Sequence, residues 1–439
     1  MIRRDNPDPD PVVVLGGGLT GISTAYHLGG GWQLFEKEAR LGGHARTDER
    51  DGFHFDKTGH WLHLRDPYTQ GLVQDLLPDG LVPVERRARI FSNGVLTRYP
   101  FQGNLHGLPP EVIRECLMGA IEAQTRRWDG EPRDFAEYCL RYFGAGISRH
   151  FMIPYNRKLW GVDLSEITSA WCSRFVPVPK LGDIVAGAVG ANPPEMGYNV
   201  HFLYPRSGGI ETMTRALIGR LQGGEVHTGC ALESLDWKRR RVTAGGATMS
   251  YRAMVATIPL PELLMRMEEL PPEIEAAASR LRCTGVRYLN VALRRSPDAD
   301  FHWIYVPEQR YPFYRVGIYT NAVPAMAPPG HGSLYVELSD RGPLPALDAV
   351  LREVVPGLVA AGAMTSADDL LFAELRELRY AYVVFDHHYY DAVATLMPFL
   401  EGARIYPRGR YGSWVYNSME DCILAGREVA RLIRERHPS

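Results

Sequence analysis

The chain of 439 residues carries 49 lysines and arginines against 51 aspartates and glutamates, a net charge of −2. That balance excludes a protein built around bulk electrostatic attachment to nucleic acid or to an acidic membrane. With 45% hydrophobic and 23% charged residues, the composition is that of a globular protein of roughly three domains, large enough to bury its core without disulfide or metal staples.

The first residues, MIRRDNPDPDP, are polar and proline-rich and do not read as a signal peptide. No apolar run approaches the roughly 18 residues of a membrane span. Cys116, Cys139, Cys172, Cys230, Cys283 and Cys422 form no CxxC, and no histidine completes a zinc box. Reduced cysteines, a cytoplasmic location and no metal site are the expectation.

Val12 to Leu15 reads as a short buried strand. Gly16, Gly18 and Gly21 follow as GxGxxG, then a helical stretch from Ile22 to Leu28 and a second strand from Trp32 to Glu36. The first glycine permits the tight turn, the second lets backbone approach a pyrophosphate, and the third lets helix and strand pack closely. The helix N-terminus offers free N–H groups to phosphate. Glu36 stands 20 positions after Gly16, where a carboxylate accepts hydrogen bonds from the adenosine ribose.

The chain continues KEARLGGHART, with Gly42-Gly43 free for close backbone approach and Arg46 within reach of phosphate. Segments such as PPEVIRECLMGAIEAQTRRW and PRDFAEYCLRYF, within residues 109–170, carry helical spacing of apolar residues. SGGIETMTRALIGRL reads as a helix behind a glycine pair. Residues 282–340 alternate Val, Tyr, Ile and Phe and read as antiparallel strands. EDCILAGREVARLIRER reads as a closing helix with basic residues in its last turn. The expected fold is α/β, mixed α+β overall, with a Rossmann-like domain for the dinucleotide. That domain is discontinuous, over residues 1–98, 204–263 and 400–439. Residues 99–203 form a helical insertion, and residues 264–399 an antiparallel-sheet substrate domain.

The Gly42-Gly43 and Arg46 extension resembles the second half of the FAD fingerprint in the glutathione-reductase and amine-oxidase superfamily, which makes FAD the expected cofactor. Further segments resemble the UDP-galactopyranose mutase family, its eukaryotic branch most of all. They are FHFDKTGHWLH, RYPFQGNLHGLP, FMIPYNRKLWG, FLYPRSGG, FHWIYVPEQRYPFYRV and RGRYGSWVYNSMED, in family order across most of the chain.

The resemblance implies an isomerase. It interconverts pyranose and furanose forms of a nucleotide-linked sugar through an adduct between reduced flavin N5 and the sugar. FAD would be needed in its reduced form, supplied by an external reductant such as NAD(P)H, and the substrate would be UDP-linked. By the same resemblance Arg315 and Arg174 hold the diphosphate. Tyr305, Tyr382 and Tyr416 assist them. Tyr99, Gln102, Asn156 and Trp160 contact the nucleoside, and Trp303 lies near the sugar. His60, in TGH, sits beside the flavin. Arg410, Gly412 and Ser413, with Trp414, belong to a segment closing over the flavin. His63, His387 and His388 are structural or unassigned. Two departures fall near the sugar: Ala322 stands where a tyrosine follows the family's asparagine, and Thr58 where glycine or tyrosine precedes the glycine-histidine pair. The alternative function is an FAD-dependent oxidoreductase, amine-oxidase-like or protoporphyrinogen-oxidase-like, acting on a small molecule.

Overall fold

The computed structural model describes residues 10–78, 80–172, 176, 178–191, 201–339 and 342–438. β1 (Val12–Leu15) is buried along its whole length and is the centre of a five-stranded parallel sheet. Its neighbours are β2 (Trp32–Glu36) and Ala253–Ala256. Gly224–Thr228 and Ile405–Pro407 form the edges. The central strands read as unbroken apolar runs because both their faces are covered. α1 (Leu19–Leu28) covers one face and packs on the closing helix Met419–Arg436. The two meet where Gly426 lies against Ser23, whose hydroxyl donates to the Ile423 carbonyl at 2.7 Å.

A seven-stranded sheet is the larger of the two main sheets. Its order is Leu370–Val383, Cys283–Leu293, Gly332–Ser339, Phe313–Ile318, Trp303–Tyr305, Ala88–Ser92 and Val95–Arg98. Residues 88–98 were expected with the cofactor domain. They join this sheet instead, because Trp303–Tyr305 pairs in parallel with Ala88–Ile90. A pairing between segments so far apart in sequence leaves no local mark. His201–Pro205, partly assigned to the helical insertion, is a strand antiparallel to Leu81–Glu85.

The helical insertion contains Pro110–Thr125, Phe135–Ile147 and Ile153–Trp160. The first two meet backbone to backbone. A Cβ on Gly146 would lie 2.2 Å from the Glu115 carbonyl oxygen, so glycine sets the helix spacing. Among the described residues no helix is long and apolar enough to cross a membrane.

Candidate functional site

A continuous cavity of about 1370 Å³ runs between the two sheets and under the helical insertion. Its first wall is the glycine turn. Gly16 adopts φ +98°, and its N–H donates to the Phe35 carbonyl at 2.8 Å. A Cβ on Gly21 would stand 2.0 Å from the Gly16 carbonyl oxygen, so this glycine serves packing, as its place in the motif requires. Gly18 differs. The nearest atom to a Cβ there is Gly43 Cα at 3.9 Å. Its backbone faces open space at the head of α1, which has no side-chain cap and no acid in its first turn. Unpaired N–H groups and the helix dipole make that point an anion cradle.

Beside it, Gly42 (φ +119°) and Gly43 (φ +57°) run alongside the turn, and the Gly42 N–H donates to the Gly17 carbonyl at 2.7 Å. The Glu36 carboxylate accepts from the Gly17 and Glu38 N–H groups at 2.7 and 2.8 Å. That fixes its orientation and leaves lone pairs for a ribose. Arg46 is buried, and its Nε has no partner among the described residues. These features fit a dinucleotide. Gly18→Val should fold, since its backbone is extended (φ −74°, ψ 178°) and its surroundings are open, and should purify colourless. Gly21→Val should fail to fold. Soluble yield and visible flavin absorbance together check the contrast.

The second wall belongs to the seven-stranded sheet. Its register sets Arg315 between Glu337 and Tyr305. The Arg315 guanidinium donates to Glu337 at 2.5 Å and to the Tyr382 hydroxyl at 3.3 Å. The Glu337 side chain is 1% exposed; that of Arg315 is 23% exposed, open to the cavity. Burial works against the Arg315 charge, but Glu337 and the surrounding phenols hold it on, so its pKa lies well above the usual value. Burial pushes the Tyr155 and Tyr382 phenols upward, so both remain protonated donors. Tyr382 stacks on Tyr416 (centroids 6.3 Å apart, planes 9° apart). Arg410 lies 4.3 Å over Tyr416 and donates to the Ala381 and Asn417 carbonyls at 2.9 Å each, bracing the stack.

The third wall comes from the insertion. Tyr99 packs on Tyr305 at 5.2 Å, with the Arg86 guanidinium over its ring. Gln102, Asn156 and Trp160 are buried in the same wall. The Asn156 amide nitrogen donates to the Met152 carbonyl at 2.7 Å, which leaves its side-chain oxygen to accept. Trp303 lines the cavity and stacks on Trp61 at 6.0 Å.

Between the walls lies Thr58-Gly59-His60. Thr58 adopts φ +69°, a left-handed conformation that is rare for a β-branched side chain. Its carbonyl accepts from the Tyr319 hydroxyl at 2.9 Å and from His60 Nδ1 at 3.3 Å. A carbonyl only accepts, so His60 carries its proton on Nδ1 and presents Nε2 as an acceptor. Burial lowers its pKa to about 4, and the ring is neutral.

The structure thus brings Gly16, Gly18, Glu36, Gly42, Gly43, Arg46, His60 and Arg410 to one cavity with the expected nucleoside and diphosphate residues. Gly412 and Ser413 do not line it. A Cβ on Gly412 would lie 2.2 Å from the Ala256 carbonyl oxygen, and the Ser413 hydroxyl donates to the Pro407 carbonyl. Both fasten the segment to the parallel sheet, and Asn417 to Cys422 face the cavity in their place. Trp414 is fully buried and Ala322 packs in the core; neither reaches the cavity. Arg174 lies outside the described residues. Glu337, Tyr155 and Lys57 line the cavity and were missed. Glu337 had a signal: a lone carboxylate inside the apolar strand GSLYVELS.

A dinucleotide cradle opening into a cation-and-phenol chamber defines a flavin-dependent class of protein. Residues 19–434 match the flavin containing amine oxidoreductases, and the chain belongs to that family. Among solved structures, a reduced UDP-galactopyranose mutase superposes with a TM-score of 0.91 at 24% identity, over 98% of this chain and 95% of that one. Cyclohexylamine oxidase from Brevibacterium oxydans IH-35A gives 0.69 at 16% identity, over 97% and 99% of the two chains. These likenesses show a shared fold. Among curated proteins, coproporphyrinogen III oxidase of Mycobacterium tuberculosis (strain ATCC 25618 / H37Rv) is 24% identical over 300 residues, 62% of this chain. The match spans 64% of that protein's length.

Proposed function

We propose that the protein is a flavin-dependent mutase that interconverts the pyranose and furanose forms of a nucleotide-linked sugar, with UDP as the nucleotide. The observation that carries this reading is the Arg315–Glu337 pair, buried among tyrosines and opening into the same cavity as the glycine cradle. A half-buried guanidinium, fixed by Glu337 and open to the cavity, with protonated phenols beside it suits a leaving diphosphate. Each charge-assisted hydrogen bond contributes roughly 1.5–3 kcal/mol.

Reduced FAD, when bound, supplies the nucleophile, and an external reductant such as NAD(P)H keeps it reduced. This chain's residues do the rest. Arg315 and the tyrosine hydroxyls receive charge developing on the diphosphate. Tyr99, Gln102, Asn156 and Trp160 form a flat slot with amide partners for uracil. Neutral His60 accepts a hydrogen bond at Nε2 from a hydroxyl of the sugar. The shared fold with a UDP-galactopyranose mutase supports the reading.

Enzyme reduced with dithionite under anaerobic conditions should interconvert the two ring forms of UDP-galactose, consuming no oxidant, and oxidised enzyme should be inactive. UDP at 100 times its dissociation constant should stabilise the fold by ~2.7 kcal/mol. Equal turnover by oxidised enzyme would defeat the proposal. The oxidase names of the curated relatives favour a second reading, an FAD-dependent oxidase of a small molecule. Substrate-dependent oxygen uptake, with no melting shift from any nucleoside diphosphate, would decide for it.

A further inference from the structure

The corner of the cavity between α1 and the Gly42-Gly43 turn holds a cation that the proposed chemistry leaves unused. Lys57 follows the strand Phe53–Asp56, and its ammonium donates to the Gly43 carbonyl at 3.3 Å. That carbonyl is its sole hydrogen-bond partner among the described residues, where it also has no ion pair. Asp48 and Glu38 face it from farther off, Arg46 and Arg40 repel it, and His44 and His60 border it. Asp48 is already engaged by Arg40, which also holds Glu211, and Glu38 leans towards Arg46 at 3.9 Å. A half-buried ammonium beside a guanidinium is both desolvated and repelled. One neutral carbonyl does not offset that cost.

The position of this strained cation points to an anion. A Cβ on Gly43 would lie 2.9 Å from Gly18 Cα, so Gly43 sits against the head of α1. A Cβ on Gly42 would lie 2.6 Å from Arg46 Cγ. Lys57 and Arg46 therefore flank one glycine pair, and the uncapped end of α1 opens onto the same place. Arg46 is 7% exposed with Nε unpartnered among the described residues.

We propose that Lys57 and Arg46 form a two-cation clamp on the diphosphate of the flavin dinucleotide, with Lys57 acting as the ammonium, so that retention of the cofactor is coupled to one proton. This rests on the FAD reading. Without a ligand, burial and then Arg46 push the Lys57 pKa down to about 8. Two negative charges beside it raise that value. Binding at higher pH then takes up a proton, and affinity falls by up to tenfold for each pH unit above about 8.

The test is stepwise dilution of the holoenzyme, with released FAD read by its fluorescence, near pH 7 and near pH 9.5. The parent's dissociation constant should rise more than tenfold between the two. Lys57→Arg, cationic throughout, should change by less than about twofold. Lys57→Met should bind FAD roughly tenfold more weakly near pH 7 and lose little more on the alkaline side. If the methionine variant does not fold, parent against arginine variant still decides. A parent that is flat with pH, or an arginine variant with the parent's slope, overturns the clamp and leaves FAD binding intact. A parent that holds no FAD at either pH overturns both.

Discussion

Arg315→Ala should cost about 3–5 kcal/mol of stability, because removing one partner of a buried ion pair leaves the other charge uncompensated. Here that charge is Glu337, 1% exposed. The same change should weaken UDP by roughly 2 kcal/mol, about thirtyfold. The two losses are separable. Arg315→Met with Glu337→Gln removes both charges and keeps most of the volume, so it should recover most of the melting temperature and still show no UDP-induced shift. If Arg315→Ala melts like the parent, the pair is not a structural element. If the double variant responds to UDP like the parent, the guanidinium is not the diphosphate ligand.

What the sequence disclosed follows from how local each feature is. The glycine turn, α1 and Glu36 lie within about two dozen residues, and each glycine has a steric reason that can be read without a structure. The chamber was legible only through resemblance. Tyr99, Asn156 with Trp160, Arg315 and Tyr416 come from four separate segments, and as bare residues they read as core or surface. Glu337 was missed because it depends on register: it faces Arg315 only once Gly332–Ser339 pairs antiparallel with Phe313–Ile318. Tyr155, on the helix Ile153–Trp160, was missed because only the packing of that helix brings it to the cavity. Gly412 and Ser413 show the converse. They were expected in a segment closing over the flavin, and what they approach is the neighbouring sheet. The expected domain boundary at residue 98 missed the pairing of 88–98 with a strand about two hundred residues later.

The fold also explains why cradle and chamber share one cavity. Strand Phe53–Asp56 packs on Gly332–Ser339 and Phe372 of the seven-stranded sheet, and the next residues, Lys57 to His60, make a short crossing along the cavity wall, starting at the Gly43 carbonyl. There the Tyr319 hydroxyl binds the Asp56 and Thr58 carbonyls at 3.2 and 2.9 Å. One short crossing thus carries a cation for the cofactor corner and an imidazole for the chamber. Its anchor is Asp56, and that anchor titrates.

Asp56 is fully buried. One carboxyl oxygen accepts from the Thr47 hydroxyl at 2.7 Å and the Ile210 N–H at 3.2 Å, and the other lies 2.6 Å from the Tyr204 hydroxyl. Burial raises its pKa to about 7; the hydrogen bonds oppose the rise and nearby Glu211 adds to it. Below that value the protonated second oxygen can donate a hydrogen bond to the Tyr204 oxygen, and the Tyr204 hydrogen then points to Met326 Sδ at 3.7 Å. The sign follows from proton counts. Above the unfolded pKa of 3.8 the folded protein binds the extra proton, so the contribution is complete at acid pH and is lost as pH rises through about 7. A shift of this size is worth about 4 kcal/mol between roughly pH 4 and pH 8. Asp56→Asn supplies an N–H to Tyr204 and an oxygen to Thr47 and Ile210 at every pH. It should match the parent near pH 4 and become the more stable of the two by an amount that grows to about 4 kcal/mol near pH 8. Unfolding of both proteins across that range gives the difference directly. A parent that instead gains on the variant as pH rises would mean that Asp56 is ionised in the folded protein and that the proton is not part of its anchor.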